Sequence, residues 1–306
     1  MDYITNITYL TLEGHIELQK YKYIYFSITL TVYILIFCCN TVIIWLIYTN
    51  QSLHEPMYIF IAALFFNAIF GTTALYPKLL SDFLSDSQVI SYPACLVQAF
   101  LIYTYGASEF LLLSAMAYDR YVSITKPLQY ATLVKMSTVK KMIFFSWLLP
   151  ASEMSVMAIL TFRLKLCKFR LNRIYCDNYS VVKLSCGDTS ANNYYGVAIL
   201  IIAVFPAVIF IIFSYIKILA ICLKSSKDFQ KKALQTCLPH LLIFVNFSVN
   251  CIFEIINNRL QSDIPHVVQI ITSIEFLVIP PLFNPVIYGI KLQEILCRIK
   301  KLFCSK

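Results

Sequence analysis

The chain has 306 residues, of which 59% are hydrophobic and only 13% are charged, and its mean hydropathy is +0.72. Soluble domains carry roughly 25% charged residues, so this composition excludes a water-exposed globule, a disordered chain and a coiled coil. The net charge of +9 does not indicate nucleic-acid binding, because the basic residues lie between long apolar runs and not along one hydrophilic face. We therefore expect a membrane protein.

Seven apolar stretches are long enough to cross a hydrocarbon layer about 30 Å thick, which takes about 20 helical residues. Lipid offers no partner to backbone polar groups, and the stretches are too long for the roughly ten-residue strands of a barrel, so helices are required. The predicted spans are residues 23–48, 57–83, 96–124, 142–162, 193–223, 233–257 and 267–289. The expected fold is an all-α membrane protein, a seven-transmembrane helix bundle forming one domain over residues 1–306.

The two ends of the chain flank this bundle, residues 23–289, on opposite sides. Residues 1–22 contain acidic side chains and lack the apolar core of a cleavable signal peptide, so the first span itself is expected to direct insertion. In residues 290–306, apolar side chains recur at three- and four-residue spacing among basic ones. This pattern predicts a short amphipathic helix on the membrane surface.

Loop charges predict the orientation. The loops after spans one, three and five, together with the C-terminus, carry a large excess of Lys and Arg, whereas the opposite set is balanced. Positive loops face the cytoplasm, so we expect an extracellular N-terminus and a multi-pass protein of the plasma membrane. Lys20 and Lys22 beside the first span favour the reverse orientation, but the global count has more weight. Asn6 and Asn178 begin glycosylation sequons on the expected outer side.

Cysteines agree with this orientation. Four of the eleven lie at or beyond the outer surface, where thiols oxidise. They are Cys95, Cys167, Cys176 and Cys186. Four cysteines allow three pairings, and the sequence alone does not choose among them.

Three ionisable residues share the third span, Glu109, Asp119 and Arg120. An arginine near the end of a membrane helix is costly unless it is paired or reaches water. Glu109 and Arg120 are about three turns apart, so they project from one face at opposite depths. Asp119 favours a charge-paired latch at the cytoplasmic end; an interfacial anchor is the alternative interpretation of Arg120.

Five motifs occur in order on the predicted spans. They are LHEPMY at 53–58, MAYDRYVSITKPLQY at 116–130, SY at 214–215, KALQTCLPH at 232–240 and PLFNPVIYG at 281–289. In these motifs the chain resembles the odorant receptors, a branch of the rhodopsin-like G-protein-coupled receptors, over nearly its whole length. The sixth-span motif is similar to that of the fish branch.

The resemblance implies disulfides that the residues alone left open: Cys95 with Cys176, and Cys167 with Cys186. Each would restrict loop freedom and stabilise the protein by typically ~2 to 4 kcal/mol. The long loop between the fourth and fifth spans would then be a fixed lid.

The resemblance also implies an activation switch. Asp119 would hold Arg120 at rest, and release of Arg120 with inward turning of Tyr215 and Tyr288 would open a cleft for a G-protein helix. Pro285 removes a backbone donor and weakens the seventh helix. The residues expected to take part in coupling are Asp119, Arg120, Tyr121, Tyr215, His240, Asn284, Pro285 and Tyr288.

Two positions depart from the family pattern. Rhodopsin-like receptors usually place a sodium-binding acid in the second span, whereas here that span has Asn67 and no carboxylate before Asp82. Glu109 matches a third-span acid of the odorant receptors and is our candidate ion-site residue without that partner. The family's aromatic pair in the sixth span is replaced by Phe247-Ser248.

A polar stripe on the sixth span predicts a ligand site. Asn246, Asn250, Glu254 and Asn257 follow one another at spacings of four, four and three, and lipid does not accommodate such a face. Helix-to-helix hydrogen bonding and a ligand pocket both explain it. To Asn250 and Glu254 we add the positions at which the resemblance implies a pocket: Ile102, Tyr103, Gly106, Ile199, Ala203, Cys251 and Ile255.

The expected function is that of an odorant receptor in olfactory cilia that binds a small odorant, activates a stimulatory olfactory-type G protein and raises cAMP. A receptor for a non-odorant ligand outside the nose is the alternative, and a transporter, which internal repeats would favour, is a more distant one. The dispersed histidines and the lack of hydrolase motifs argue against an enzyme. We expect no cofactor, no metal and no nucleic-acid partner.

Overall fold

The structure is a computed structural model that describes residues 9–14, 21–259, 266–291 and 294–297. Six helices in it are long and apolar enough to cross a membrane, and a seventh contains a shorter apolar segment, Leu277–Gly289. The expected seven-helix bundle is confirmed. The helices are α1 Lys22–Thr49, α2 Pro56–Leu84, α3 Tyr92–Thr125, α4 Met136–Phe162, α5 Ser190–Cys222, α6 Lys227–Arg259 and α7 His266–Lys291.

Helix α3 is the centre of the bundle. It packs against α2, α4, α5 and α6, and 67% of its most apolar window is buried, compared with 11% for α5. The exposed side of α5 carries large apolar residues such as Ile202, Ile209 and Ile216. An exposed apolar face of this length suits lipid as its solvent, so α5 lies at the edge of the bundle and α3 inside it.

Helix α5 is continuous but not uniform. Two α-helical parts, Ser190–Ile199 and Phe205–Cys222, are joined by a π-helical turn, Leu200–Val204. Such turns are rare and often occur at functional sites. This turn contains Ala203 and follows Ile199 directly, so two of the expected ligand-site positions lie at the irregular part of the helix.

A small sheet covers the end of the bundle that we expect to be extracellular. Strand β1, Tyr9–Leu12, pairs antiparallel with β2, Val89–Ser91, and parallel with β3, Arg170–Leu171. The three strands come from the N-terminal segment and from two separate loops. Leu10, Ile90 and Leu171 of these strands belong to one buried apolar cluster with Val181.

Part of the expected cytoplasmic helix is present. Residues 294–297 are helical, and Ile295 is buried against the main core. Residues 292–293 and 298–306 lie outside the described part of the chain, as does Asn6 in the N-terminal segment.

Candidate functional site

The lid over the bundle is held by two disulfides. One joins Cys95 at the start of α3 to Cys176, with Cα atoms 5.3 Å apart. The other joins Cys167 to Cys186 within the long loop, with Cα atoms 5.6 Å apart. These are the pairings that the family resemblance implies. Gln98 adds a polar contact, because its Oε1 accepts from the Cys176 backbone N–H at 2.9 Å.

Behind the lid, the expected pocket residues lie on helices that adjoin. On α3, Ile102 is buried while Tyr103 and Gly106 are half-buried. This helix packs against α6 and against the π-helical turn of α5. Half-buried Ile199 and Cys251 are on those two neighbours. The arrangement places mainly apolar side chains around the same part of the bundle.

Asn250 is a buried polar group of this region. Its side chain is buried, and Nδ2 donates to the carbonyl oxygen and to Oδ1 of Asn246, at 2.7 and 3.2 Å. The first two residues of the polar stripe therefore bond to each other within α6. The side chains of Glu254, Ile255 and Asn257 lie outside the described residues.

Three aromatic rings lie deeper in the bundle. Phe247 of α6 is fully buried, and its ring is edge-on to Phe110 at 4.9 Å and to Tyr105 at 6.2 Å between centroids. Aromatic pairs in this geometry attract one another beyond simple burial. Gly71 of α2 makes room for them, since a Cβ there would lie 2.4 Å from Cγ of Tyr105.

Glu109 lies at the centre of a buried polar cluster that joins α2, α3 and α7. Its two carboxylate oxygens accept from Nδ2 of Asn67 at 2.7 Å and from Nδ2 of Asn284 at 3.4 Å. The Oδ1 atoms of both asparagines are buried without a hydrogen-bond partner among the described residues. Carboxylate and amide oxygens are the ligands that hard cations prefer. The cluster therefore has the chemistry of a small cation site.

Asp119 and Arg120 form a closed latch at the opposite end of α3. Nη2 and Nε of Arg120 donate to Oδ2 of Asp119 at 2.7 and 3.1 Å, and Tyr130 donates to Oδ1 at 2.7 Å. Hydrogen bonds to an ionised group are stronger than neutral ones. A tyrosine hydroxyl is protonated at neutral pH and can donate, and burial, followed by the bond to Asp119, raises the pKa of Tyr130 further.

His240 connects three helices beside the latch. Its Nε2 is 2.9 Å from the carbonyl oxygen of Leu113 on α3, and its Nδ1 is 2.6 Å from the hydroxyl of Tyr215 on α5. A carbonyl only accepts, so Nε2 carries the proton and Nδ1 accepts from Tyr215. The ring of Tyr215 also stacks on that of His240, with centroids 5.6 Å apart.

The other expected switch residues are close to this point. Tyr288 is buried, and its hydroxyl donates to Sδ of Met116 at 3.9 Å. Tyr121 packs on Phe213, with ring centroids 6.4 Å apart, and Pro285 is buried in α7. A small cavity joins the two parts of the site, because Asp119, Arg120, His240 and Tyr288 all line it. Asn284 instead belongs to the Glu109 cluster.

Comparison with known proteins agrees with this geometry. A sequence profile of the family described as olfactory receptor matches residues 29–306. Human olfactory receptor 52K1 is 34% identical over 269 residues, 87% of this chain and 86% of the relative, and human olfactory receptor 51E1 is 33% identical over 98% and 94%. The chain belongs to the olfactory receptor family. Squid rhodopsin, at 17% identity, matches the fold with a TM-score of 0.71 over 92% of this chain and 86% of its own.

Family membership makes the chain a receptor and not an enzyme, and a multi-pass membrane protein with a small-molecule ligand and a G-protein partner. The relatives described above are human, so the likeness of the sixth-span motif to the fish branch stays a prediction. The site residues, too, stay predictions as regards their roles, although the structure gives most of them defined contacts.

One predicted glycosylation site of the receptor, Asn178, lies within the described residues. Asn178 is buried, and its Oδ1 accepts from the Thr161 hydroxyl at 2.7 Å. An N-linked glycan attaches to the amide nitrogen Nδ2, whereas this bond uses Oδ1. Glycosylation at Asn178 therefore stays a prediction.

The sequence analysis did not assign a role to Tyr130, Gly71 or Tyr105 of the receptor's polar and aromatic network. Tyr130 closes the latch from the following loop, and Gly71 gives Tyr105 its space. Tyr130 was inside the quoted third-span motif, so its hydroxyl was a visible signal. A single glycine in the apolar second span was another.

Proposed function

We propose that this receptor binds a small odorant in the outer half of the bundle and activates a stimulatory, olfactory-type G protein that raises cAMP. The observation that carries this proposal is the closed latch of Asp119, Arg120 and Tyr130, with the small cavity behind it. A latch of exchangeable hydrogen bonds at one end, below a covalently fixed lid at the other, suits a two-state signalling protein.

The ligand site that we propose lies between α3, α5, α6 and α7 beneath the lid. Ile102, Ile199 and Cys251 supply apolar contact, and Asn250 supplies a hydrogen-bonding group. Small-ligand sites generally combine an apolar cleft with a few polar groups. A ligand that fits this site is mainly apolar and carries one polar group, which replaces Asn246 as the hydrogen-bond partner of Asn250.

Activation in this proposal is a shift between two arrangements of the bundle. A ligand moves that equilibrium only by the difference between its affinities for the two states. In the active state Arg120 leaves Asp119, and Tyr215 exchanges its bond to His240 for contacts inside the opened cleft. Buried Tyr288 on the proline-weakened α7 moves with it, and the G protein occupies the space.

We further propose that Glu109, with Asn67 and Asn284, holds a monovalent cation in the resting receptor. The support is the set of buried oxygens without hydrogen-bond partners around the carboxylate. Because these residues belong to three helices, a cation there would favour the compact arrangement.

The proposed location is the membrane of olfactory cilia, with the N-terminus outside the cell. The disulfides and the sheet formed by β1 belong to one end of the bundle, and oxidised cysteines are typical of extracellular surfaces. The basic loops belong to the latch end, as expected for the cytoplasmic side.

The decisive experiment is to express the receptor with a cAMP reporter and an olfactory-type G protein, and to screen volatile and water-soluble compounds. For an agonist found in this way, Arg120→Ala is expected to reduce the response to background at equal surface expression. Arg170→Ala, an exposed arginine of the lid paired with Glu13, is the control and should respond normally.

An undiminished response of Arg120→Ala would overturn the latch. Ligand-driven uptake or current in cells lacking G proteins would instead support a transporter.

A further inference from the structure

A groove opens toward lipid between α3, α4 and α5, in the half of the bundle that contains the latch. Its volume is about 410 Å³, within the range of ~300–1,000 Å³ that small-ligand sites occupy. Its deeper walls include Leu111, Phe145, Leu149 and Phe210. Phe145 and Leu149 are 59% and 45% exposed, so the groove is accessible from the side of the protein and not through the bundle.

The groove has the length of one membrane leaflet. On α4 its lining extends from Thr138 near the helix start to Leu149, a rise of about 16 Å at ~1.5 Å per residue. Half of a hydrocarbon core about 30 Å thick is about 15 Å. At the far end, α4 and α5 are connected by the Tyr195 hydroxyl, which donates to the Glu153 carbonyl oxygen at 3.0 Å. The groove therefore extends from the membrane surface into one leaflet.

Polarity changes along the groove in the way that a phospholipid requires. Lys141, Thr138 and Tyr118 line the end near the membrane surface, whereas the deeper lining is apolar. Lys141 is exposed and is the only charged residue in the described lining, which contains no carboxylate. Its neighbour Lys140 is also exposed but does not line the groove. The positive charge at the mouth suits an anionic headgroup.

We infer that this groove binds one anionic phospholipid, with an acyl chain along Leu111, Phe145 and Phe210 and the phosphate at Lys141. The choice of an anionic lipid rests on the proposed orientation, which places the groove in the cytoplasmic leaflet, where such lipids are concentrated. Tyr118 lines the groove and directly precedes Asp119 on α3, so the bound lipid contacts the helix beside the latch.

The test uses the purified full-length receptor in detergent. Native mass spectrometry would measure binding of phosphatidylserine and of phosphatidylcholine with identical acyl chains, so that only the headgroup charge differs. One lysine near an anionic headgroup is expected to give about a fivefold preference for phosphatidylserine. Lys141→Gln should abolish that preference, whereas Lys140→Gln should retain it and Lys141→Arg should restore it.

A second variant tests the groove itself. Ser114→Phe places a ring in the groove and should weaken binding of both lipids, while thermal unfolding in detergent shows whether the variant remains folded. Equal binding of the two lipids by the unaltered receptor, or equal effects of Lys140→Gln and Lys141→Gln, would overturn the inference. These measurements need no odorant and no G protein, so their failure is distinguishable from failure of the proposed signalling function.

Discussion

The two ends of the receptor are held together by different kinds of interaction. At the lid, two disulfides and a three-stranded sheet fix segments that are distant in sequence. At the latch, Asp119, Arg120 and Tyr130 are joined only by hydrogen bonds and charge. Covalent bonds do not exchange on the timescale of signalling, whereas hydrogen bonds do. The difference indicates that the lid end is fixed in shape and that the latch end is the part able to change.

The largest expected effect comes from opening the lid. Two double variants are compared. Replacing Cys95 and Cys176 by Ser removes a link between residues 81 apart in sequence, and replacing Cys167 and Cys186 by Ser removes a link between residues 19 apart. Chain entropy predicts losses of about 4.5 and about 3 kcal/mol respectively, because the longer loop gains more freedom when unfolded. Thermal unfolding in detergent should therefore show a larger decrease for the first pair.

The control for this comparison is Cys38→Ser, which removes an exposed cysteine that is free in the structure and should leave the midpoint unchanged. An equal decrease for both disulfide pairs would contradict the loop-length argument. Normal stability without Cys95 and Cys176 would contradict the description of the lid as the fixed end.

The next effect comes from weakening the latch while leaving the lid intact. Asp119→Asn removes the charge that Arg120 pairs with, and hydrogen bonds to charged groups contribute about 1.5–3 kcal/mol. The resting state should lose stability by that amount relative to the active state, which corresponds to a roughly tenfold to hundredfold shift in their ratio. The measurable result is raised cAMP without ligand, at equal surface expression.

Tyr130→Phe tests the same latch with a smaller change. It removes one donor to Asp119 but keeps the charge pair, so its increase in basal cAMP should be smaller than that of Asp119→Asn. Tyr48→Phe, at an exposed tyrosine of the same end of the bundle, should have no effect. Basal signalling that stays at the level of the unaltered receptor in both Asp119→Asn and Tyr130→Phe would show that the latch does not hold the resting state.

The sequence predicted the membrane spans better than the contacts at the two ends. Apolar length gave the seven spans, because the bilayer imposes one simple requirement on each. The helices are longer than the predicted spans at some ends: the fourth span was expected from residue 142, and α4 is Met136–Phe162. The additional turn contains Lys140 and Lys141, because a helix can continue beyond the hydrocarbon wherever water and headgroups accept its charges.

The tertiary detail of each end was harder to predict. The sheet pairs Tyr9 with Ser91 and Thr11 with Arg170, and strands of two to four residues with distant partners leave no periodic signal. The latch pair Asp119 and Arg120 was predicted, since adjacent opposite charges in a span are conspicuous. The Glu109 contact with Asn67 and Asn284 depends on three helices meeting at one depth, which helix positions in sequence do not specify.

The smallest predicted change tests whether the N-terminal strand is part of the fixed end. Gly14 follows β1 and packs so closely on the long loop that a Cβ there would lie 2.6 Å from the backbone carbonyl carbon of Arg173. Backbone atoms cannot turn aside as a flexible side chain does, so Gly14→Ala should force the segment away and destabilise the lid by about 1–3 kcal/mol.

Gly187→Ala is the matched control, because Gly187 lies in the same lid. The nearest atom to a Cβ at this position would be Oγ of Ser185 at 3.6 Å, which is an ordinary contact. It should change stability by no more than about 0.5 kcal/mol. The two variants differ by a methyl group from the same parent, so thermal unfolding compares them directly. If Gly14→Ala is as stable as Gly187→Ala, the N-terminal strand contacts the lid without stabilising it. The disulfides alone would then make this end of the receptor rigid.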